Sequence, residues 1–140
     1  MNAIEEKQRE FIELYNSLAD PLMQYELLLQ MAGETPPPEK RDNKARIRNC
    51  QTDSWFMMRA DNGRLFLQVD SDSLLIRGVL SVYVYLLDGR ELEEILHTGL
   101  CFMEQTTIRR QMTDSRFSVL AQIPEMIYGF CRAHIGEENG

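Results

Sequence analysis

The feature of the sequence that most constrains the fold is the run Asp61-Asn62-Gly63, which separates two segments rich in aromatic and long or branched apolar residues. An Asn-Gly pair readily adopts the positive φ angles that a tight reversal between antiparallel strands requires. Residues 54–60 and 64–69 are therefore predicted to form a β-hairpin. Along the second segment, apolar residues alternate onto one face that is expected to pack on helices: Leu65, Leu67 and Val69.

Two helices are predicted before the hairpin, over about residues 4–33. Apolar residues recur at helical spacing in the first helix, which should end near Asp20: Ile4, Phe11, Leu14, Tyr15 and Leu18. Asp20-Pro21 fits an N-cap followed by proline at the first position of a second helix. Gly33 is predicted to close this helix in the left-handed conformation. Its inward residues are Leu22, Tyr25, Leu28 and Leu29.

Residues 34–49 lack this periodicity and contain Pro36-Pro37-Pro38 followed by a charged string. Such a segment cannot bury a face, so an exposed loop is predicted here. Strands are then expected over about residues 46–69, which includes the hairpin.

The C-terminal half is predicted to be helical over about residues 73–133. A central helix should stop at Gly89, and its inward residues are Leu75, Val79, Val82, Tyr83 and Leu86. A short helix follows around Glu91 to His97. Thr113 is predicted to cap a last helix that runs to about Ala133 and is kinked at Pro124, because a proline inside a helix removes a hydrogen bond.

These elements predict an α+β fold in which a small antiparallel β-sheet packs against several helices, with residues 1–140 as one domain. Acidic residues outnumber basic ones by 22 to 15, and the formal charge of −7 repels phosphate backbones, so nucleic acid is not an expected partner. The sequence has no signal-peptide pattern, and no apolar run approaches the ~18 residues of a membrane span. We expect a cytoplasmic protein with no membrane attachment and no cofactor.

Three cysteines occur at positions 50, 101 and 131 and form no close pair, which favours reduced thiols over disulfides. Cys101 is surrounded by large apolar residues and is predicted to lie in the core, and the same interpretation applies to Cys131 on the last helix. The spacings of Cys131 to His134 and of His97 to Cys101 do not match a paired-ligand motif, so no metal site is expected. The acidic run 70–73 lacks the glycine and glutamate of a calcium loop and is better explained by helix capping.

Cys50 differs from the other two cysteines because it lies in a polar loop, with Arg46 and Arg48 four and two residues before it. Neighbouring cations favour the thiolate, which is the reactive form of cysteine. From these residues alone, an incidental loop cysteine beside solvated arginines is the more common interpretation, and a functional thiol is the alternative.

Three segments resemble the SufE family of iron–sulfur metabolism. Asn49-Cys50-Gln51-Thr52-Asp53-Ser54-Trp55 is similar to its Gly-Cys-Gln-Ser signature, which is followed by a tryptophan. The run from Asp70 to Gly78 resembles the family's Asp-Ser-Asp-Ala and Lys-Gly block, and Thr113-Asp114-Ser115-Arg116 resembles its Thr-Pro-Ser-Arg. The resemblance covers about residues 11–133.

This resemblance implies the fold of iron–sulfur scaffold proteins and a partner, a pyridoxal-phosphate cysteine desulfurase that carries a persulfide. It implies that Cys50 receives the outer sulfur, stimulates the desulfurase and passes the sulfur to a cluster scaffold. Gln51, Asp72 and Arg116 are implied as supporting residues of the cysteine loop and the docking surface. The sequence leaves the oligomeric state open, including a homodimer.

The sequence departs from the family pattern at a few positions. Asn49 replaces the glycine before the cysteine, Thr52 replaces a serine, and Val119 replaces the glycine of a pair that follows Arg116. Asn49 and Val119 favour an alternative function, a regulatory or binding module of the same fold that docks on a desulfurase or another enzyme without carrying sulfur. An independent cluster scaffold is disfavoured because the additional ligands are absent from the sequence.

Overall fold

The computed structural model of the chain describes residues 2–136. Within that range, two antiparallel strands form the sheet, β1 (Ser54–Asp61) and β2 (Arg64–Ser71). The α-helices are α1 (Ala3–Ser17), α2 (Pro21–Glu34), α3 (Leu74–Leu87), α4 (Leu92–Leu96), α5 (Phe102–Gln105), α6 (Asp114–Leu120) and α7 (Ile123–His134). Short 3₁₀ helices span Asn43–Ala45 and Thr107–Gln111. The α+β fold predicted from the sequence is confirmed.

The hairpin has the predicted turn, with φ of 53° at Asn62 and 74° at Gly63. Its register places Ser54 opposite Ser71 and Asp61 opposite Arg64. The strands were expected to begin near residue 46, and this expectation is wrong. Arg46 makes only an isolated bridge to Trp55, because the chain leaves the sheet direction at the positive φ of Asn49 before β1 begins.

Helix α3 is the centre of the core. Most of its residues are buried, and the alternating face of β2 packs against it through Leu65, Leu67 and Val69. On its other side α3 lies close to α2, where a Cβ atom on Gly78 would overlap the carbonyl oxygen of Leu28. The two helices therefore approach at backbone distance, which only glycine permits.

Helix α2 does not end in the predicted left-handed glycine. Gly33 remains helical and Thr35 is the C-cap, with an extended backbone. The buried guanidinium of Arg77 donates to the carbonyl oxygens of Ala32 and, at 2.9 Å, Thr35. Because this side chain satisfies carbonyls that the helix leaves without partners, no glycine turn is needed there.

The predicted last helix is two helices, with a break at Ala121 and Gln122. The Oγ1 of Thr113 accepts from the backbone N–H of Arg116 at 3.3 Å, so the predicted cap belongs to α6. Pro124 lies in the first turn of α7, where a missing N–H costs nothing because that group has no intrahelical partner. The chain thus avoids the predicted kink by ending one helix and starting another.

Candidate functional site

Cys50 lies in the loop between the first 3₁₀ helix and β1, and its side chain is half-buried. The loop is closed at its base, where the backbone N–H of buried Ile47 donates to the carbonyl of Ser54 at 2.8 Å. Asn49, directly before the cysteine, has φ of 65°. This left-handed conformation is one that asparagine adopts more readily than other non-glycine residues, so the loop keeps its turn without the family glycine.

The thiol of Cys50 rests against a group of hydroxyls at the start of the hairpin. Its Sγ lies 3.8 Å from the Oγ of buried Ser54, which is 2.8 Å from the Oγ of Ser71 and donates to the carbonyl of Thr52 at 3.1 Å. A hydrogen bond to sulfur is weak. The hydroxyls therefore hold the thiol in place with little energy, and it can leave this contact at low cost.

Helix α6 covers the other side of the cysteine loop through Arg116. The Nη2 of this arginine donates to the Oγ1 of Thr52 at 2.9 Å. A cavity of about 70 Å³ lies between the loop and the helix, and it is lined by Asn49, Cys50, Gln51, Ser115, Arg116 and Val119. The fold thus brings Cys50, Gln51 and Arg116 together around one small polar cavity.

Asp72 does not line this cavity and acts at the base of the loop. Its backbone N–H donates to the carbonyl of Asp53 at 3.0 Å, and its carboxylate pairs with Arg41 at 3.1 Å. The neighbouring Asp70 pairs with Arg41 at 2.8 Å and with Arg77 at 3.1 Å. Burial would raise the pKa of Asp70, but the hydrogen bonds from Arg41, the Ser71 backbone and Arg77 hold that pKa below its usual value.

Sequence reasoning missed Arg41. Besides its two carboxylate contacts, its guanidinium lies 4.2 Å above the ring of buried Trp55, so it fastens the proline-containing loop onto the first residues of β1. In the sequence Arg41 is one member of an ordinary charged string, and no spacing distinguishes it from Lys40 or Asp42. Only the folded chain brings it to the hairpin.

The two arginines that flank the loop differ in their contacts. Arg46 forms an ion pair with Asp53 at 2.7 Å across the base of the loop, and both side chains are exposed. Within residues 2–136 Arg48 has no carboxylate within ion-pair distance. Of these two arginines, Arg48 is therefore the one whose charge remains available to a partner.

The other two cysteines occupy different environments. Cys131 is fully buried on α7, and burial raises its pKa to about 11, partly offset by Arg132. Cys101 was predicted to lie in the core, but it is half-buried, since it stands at the N-cap of α5 with its backbone N–H bonded to Gln8 Oε1 at 2.8 Å. Burial and the charge of Glu104 raise the pKa of Cys101. Both thiols are therefore protonated at neutral pH.

In the described part of the chain, no group of three or more His, Cys, Asp or Glu side chains is arranged to hold a metal ion. Over the same residues, no helix is long and apolar enough to cross a membrane.

Comparisons with known proteins confirm the family resemblance. The profile of the SufE family, described as an Fe-S metabolism associated domain, matches residues 9–131. Cysteine desulfuration protein SufE of Wigglesworthia glossinidia brevipalpis is 27% identical over 137 residues, which cover 95% of each chain. SufE-like protein 2, chloroplastic, of Arabidopsis thaliana is 30% identical over 94 residues, 65% of this chain, and the match spans only 36% of the plant protein.

Among solved structures, the solution structure of a hypothetical protein from Thermus thermophilus superposes with a TM-score of 0.76. The two chains are 20% identical, and the superposition covers 92% of this chain and 96% of the other. This likeness establishes the fold.

Proposed function

The chain belongs to the SufE family, and we propose that it accepts persulfide sulfur on Cys50 from a cysteine desulfurase. Its similarity to SufE proteins supports a role in sulfur transfer for iron–sulfur metabolism. The observation that supports this most directly is the position of Cys50, on a loop beside a small cavity that Arg116 closes. A cysteine that receives sulfur must reach into a partner, and a loop cysteine meets this requirement better than the buried Cys131.

The transfer is an exchange between a thiolate and a persulfide. The thiolate of Cys50 attacks the outer sulfur of the desulfurase persulfide and forms a new S–S bond, while the old S–S bond breaks and its electron pair leaves on the desulfurase cysteine as a thiolate. No net oxidation or reduction occurs, so the step needs no additional redox partner. The persulfide on Cys50 is then attacked in the same way by a thiolate of the next acceptor, for which a cluster scaffold is the candidate.

The groups around the cavity suit this chemistry. Arg116 brings a permanent positive charge to a space of about 70 Å³, which is room for about two water molecules and hence for one additional sulfur atom. In this proposal the outer sulfur of the Cys50 persulfide, which is anionic at neutral pH, occupies the cavity next to that charge. Gln51 lines the same space, and Asp72 acts indirectly by fixing Asp53 at the end of the loop.

Sulfur loading measured by mass spectrometry tests the proposal. After incubation with a purified bacterial cysteine desulfurase and cysteine, the wild type should gain one sulfur atom, and desulfurase turnover should increase. Cys50→Ser should lose both effects, whereas Cys101→Ala keeps both, because the cysteine that it removes lies outside the site. Loading of Cys50→Ser equal to that of the wild type would refute the assignment of Cys50.

A second candidate function is a docking or regulatory module that carries no sulfur. The observation that favours it is Val119, whose side chain forms part of the cavity wall where the family has glycine. A side chain larger than glycine leaves less space in the cavity for the outer sulfur of a Cys50 persulfide. Stimulation of the desulfurase by a wild-type protein that never gains sulfur would establish this function instead.

A further inference from the structure

A larger groove lies beside the cysteine loop, between residues 44–48, β1 and α7. Its volume is about 450 Å³. Apolar side chains, two of them methionines, form the floor: Ile47, Phe56, Met58, Met126 and Phe130. Met58, Met126 and Phe130 are each only half-buried, so the floor is open to a partner.

The edge of this groove carries three basic side chains, all exposed: Lys44, Arg46 and Arg48. Arg46 is neutralised by Asp53 at 2.7 Å, but within residues 2–136 neither Lys44 nor Arg48 forms an ion pair. Two cations without a carboxylate partner therefore lie next to an apolar floor, on a chain whose formal charge is −7. A site of this kind selects an occupant that is acidic and has apolar side chains to bury.

We propose that this groove binds an acidic, amphipathic segment of the cysteine desulfurase, and the proposal rests on the function proposed above. Methionine side chains adapt their shape to a bound segment, and an apolar groove with a charged edge is a common receptor for an amphipathic helix. The basic edge speeds the encounter and sets the orientation, while the floor supplies the buried contact.

The groove adjoins the site that the desulfurase must reach. One wall, residues 44–48, continues directly into the cysteine loop, and Arg48 is two residues from Cys50. On the opposite side, Gln122 of the groove lies in the break between α6 and α7, and Val119 of the small cavity lies in the last turn of α6. A segment held in the groove therefore brings its protein to the thiol. A second copy of this chain is a poorer occupant, because two copies that each carry −7 repel.

Charge reversal at the edge tests the proposal. The variant is Lys44→Glu with Arg48→Glu, and the matched control is Arg9→Glu with Arg110→Glu, which makes the same charge change at exposed residues outside the groove. The rate of sulfur loading by a purified bacterial cysteine desulfurase is measured as a function of the concentration of this protein, the carrier. The carrier concentration for half-maximal rate should rise about tenfold in the groove variant, with little change in maximal rate and little change in the control. Added sodium chloride should likewise raise the carrier concentration that the wild type needs for half-maximal rate.

Three further measurements separate the possible causes. Loading of Cys50 by inorganic polysulfide should fall much less in the groove variant than loading by the desulfurase; an equal loss with both donors would show that Arg48 acts on the thiol and would overturn the groove. Met126→Glu should raise the carrier concentration for half-maximal loading, whereas Met126→Leu should leave it unchanged. Sedimentation would reveal self-association through this face, which also contradicts the proposal.

Direct binding distinguishes failure of the groove from failure of the proposed function. Titration of the desulfurase with Cys50→Ser carrying Lys44→Glu and Arg48→Glu should require about tenfold more protein than Cys50→Ser alone. If the wild type is loaded normally and the groove substitutions leave binding unchanged, the groove proposal is wrong and the assignment as a sulfur acceptor stands. If the groove substitutions weaken binding but the wild type is never loaded with sulfur, the groove proposal stands and the protein is a docking module.

Discussion

At the scale of single residues, Arg116 is the side chain that connects the cysteine loop to α6. We predict that Arg116→Ala lowers the rate of Cys50 loading by about tenfold, because the bond of 2.9 Å to Thr52 and the positive charge beside the thiol are both lost. Thr52→Val removes the same bond and keeps the charge. The two changes should be non-additive, and Arg110→Ala, an exposed control, should have no effect. Fully additive rate losses would mean that the bond to Thr52 does not position the loop.

The family resemblance identified Cys50, Gln51 and Arg116, and the fold brings these three residues together, but their roles remain proposals. What sequence reasoning could not supply is the set of contacts that join distant segments. The Arg41 pairs with Asp70 and Asp72 span 29 and 31 residues, and no local pattern encodes them. Cys101 was misplaced for a related reason: its neighbours in sequence are apolar, but its backbone N–H bonds to the distant, buried Gln8 and its side chain is only half-buried.

At the scale of the helices and strands, the close approach of α2 and α3 depends on Gly78. A Cβ there meets the backbone of Leu28, which cannot move without separating the helices. We predict that Gly78→Ala destabilises the protein by about 1–3 kcal/mol in denaturant unfolding. Gly33→Ala is the matched control: Gly33 is also helical, and a Cβ atom added to it would meet nothing within 4 Å. It should be neutral or stabilising by up to about 1 kcal/mol. Equal destabilisation by both changes would refute the argument.

Local signals predicted the elements well wherever the chain satisfies its own backbone. Asp20 caps α2 by accepting from the N–H of Leu22 at 2.9 Å, and the Asn62-Gly63 turn sets the hairpin. The errors occurred where a distant group or a competing local solution intervened. Arg77, from another helix, replaces the expected glycine cap at Gly33, and a break before Pro124 replaces the expected kink. Propensity alone carries no information about such tertiary partners.

At the scale of the whole molecule, the proline-containing loop is held against the hairpin by Arg41. This residue pairs with Asp70 and Asp72 and covers the ring of Trp55, and the same segment then leads into the basic wall of the groove and to Cys50. Movement of this loop would therefore displace the docking groove and the cysteine together.

Trp55 is the only tryptophan in the chain, so its fluorescence reports directly on this loop. We predict that Arg41→Ala shifts the emission to longer wavelength and increases quenching by acrylamide, because removing the guanidinium opens the indole to water. Lys40→Ala, a change at the preceding exposed residue, should leave both signals unchanged. If the loop also positions the groove, Arg41→Ala should raise the carrier concentration needed for half-maximal loading by the desulfurase. An unchanged emission spectrum in Arg41→Ala would show that the loop stays in place without its arginine.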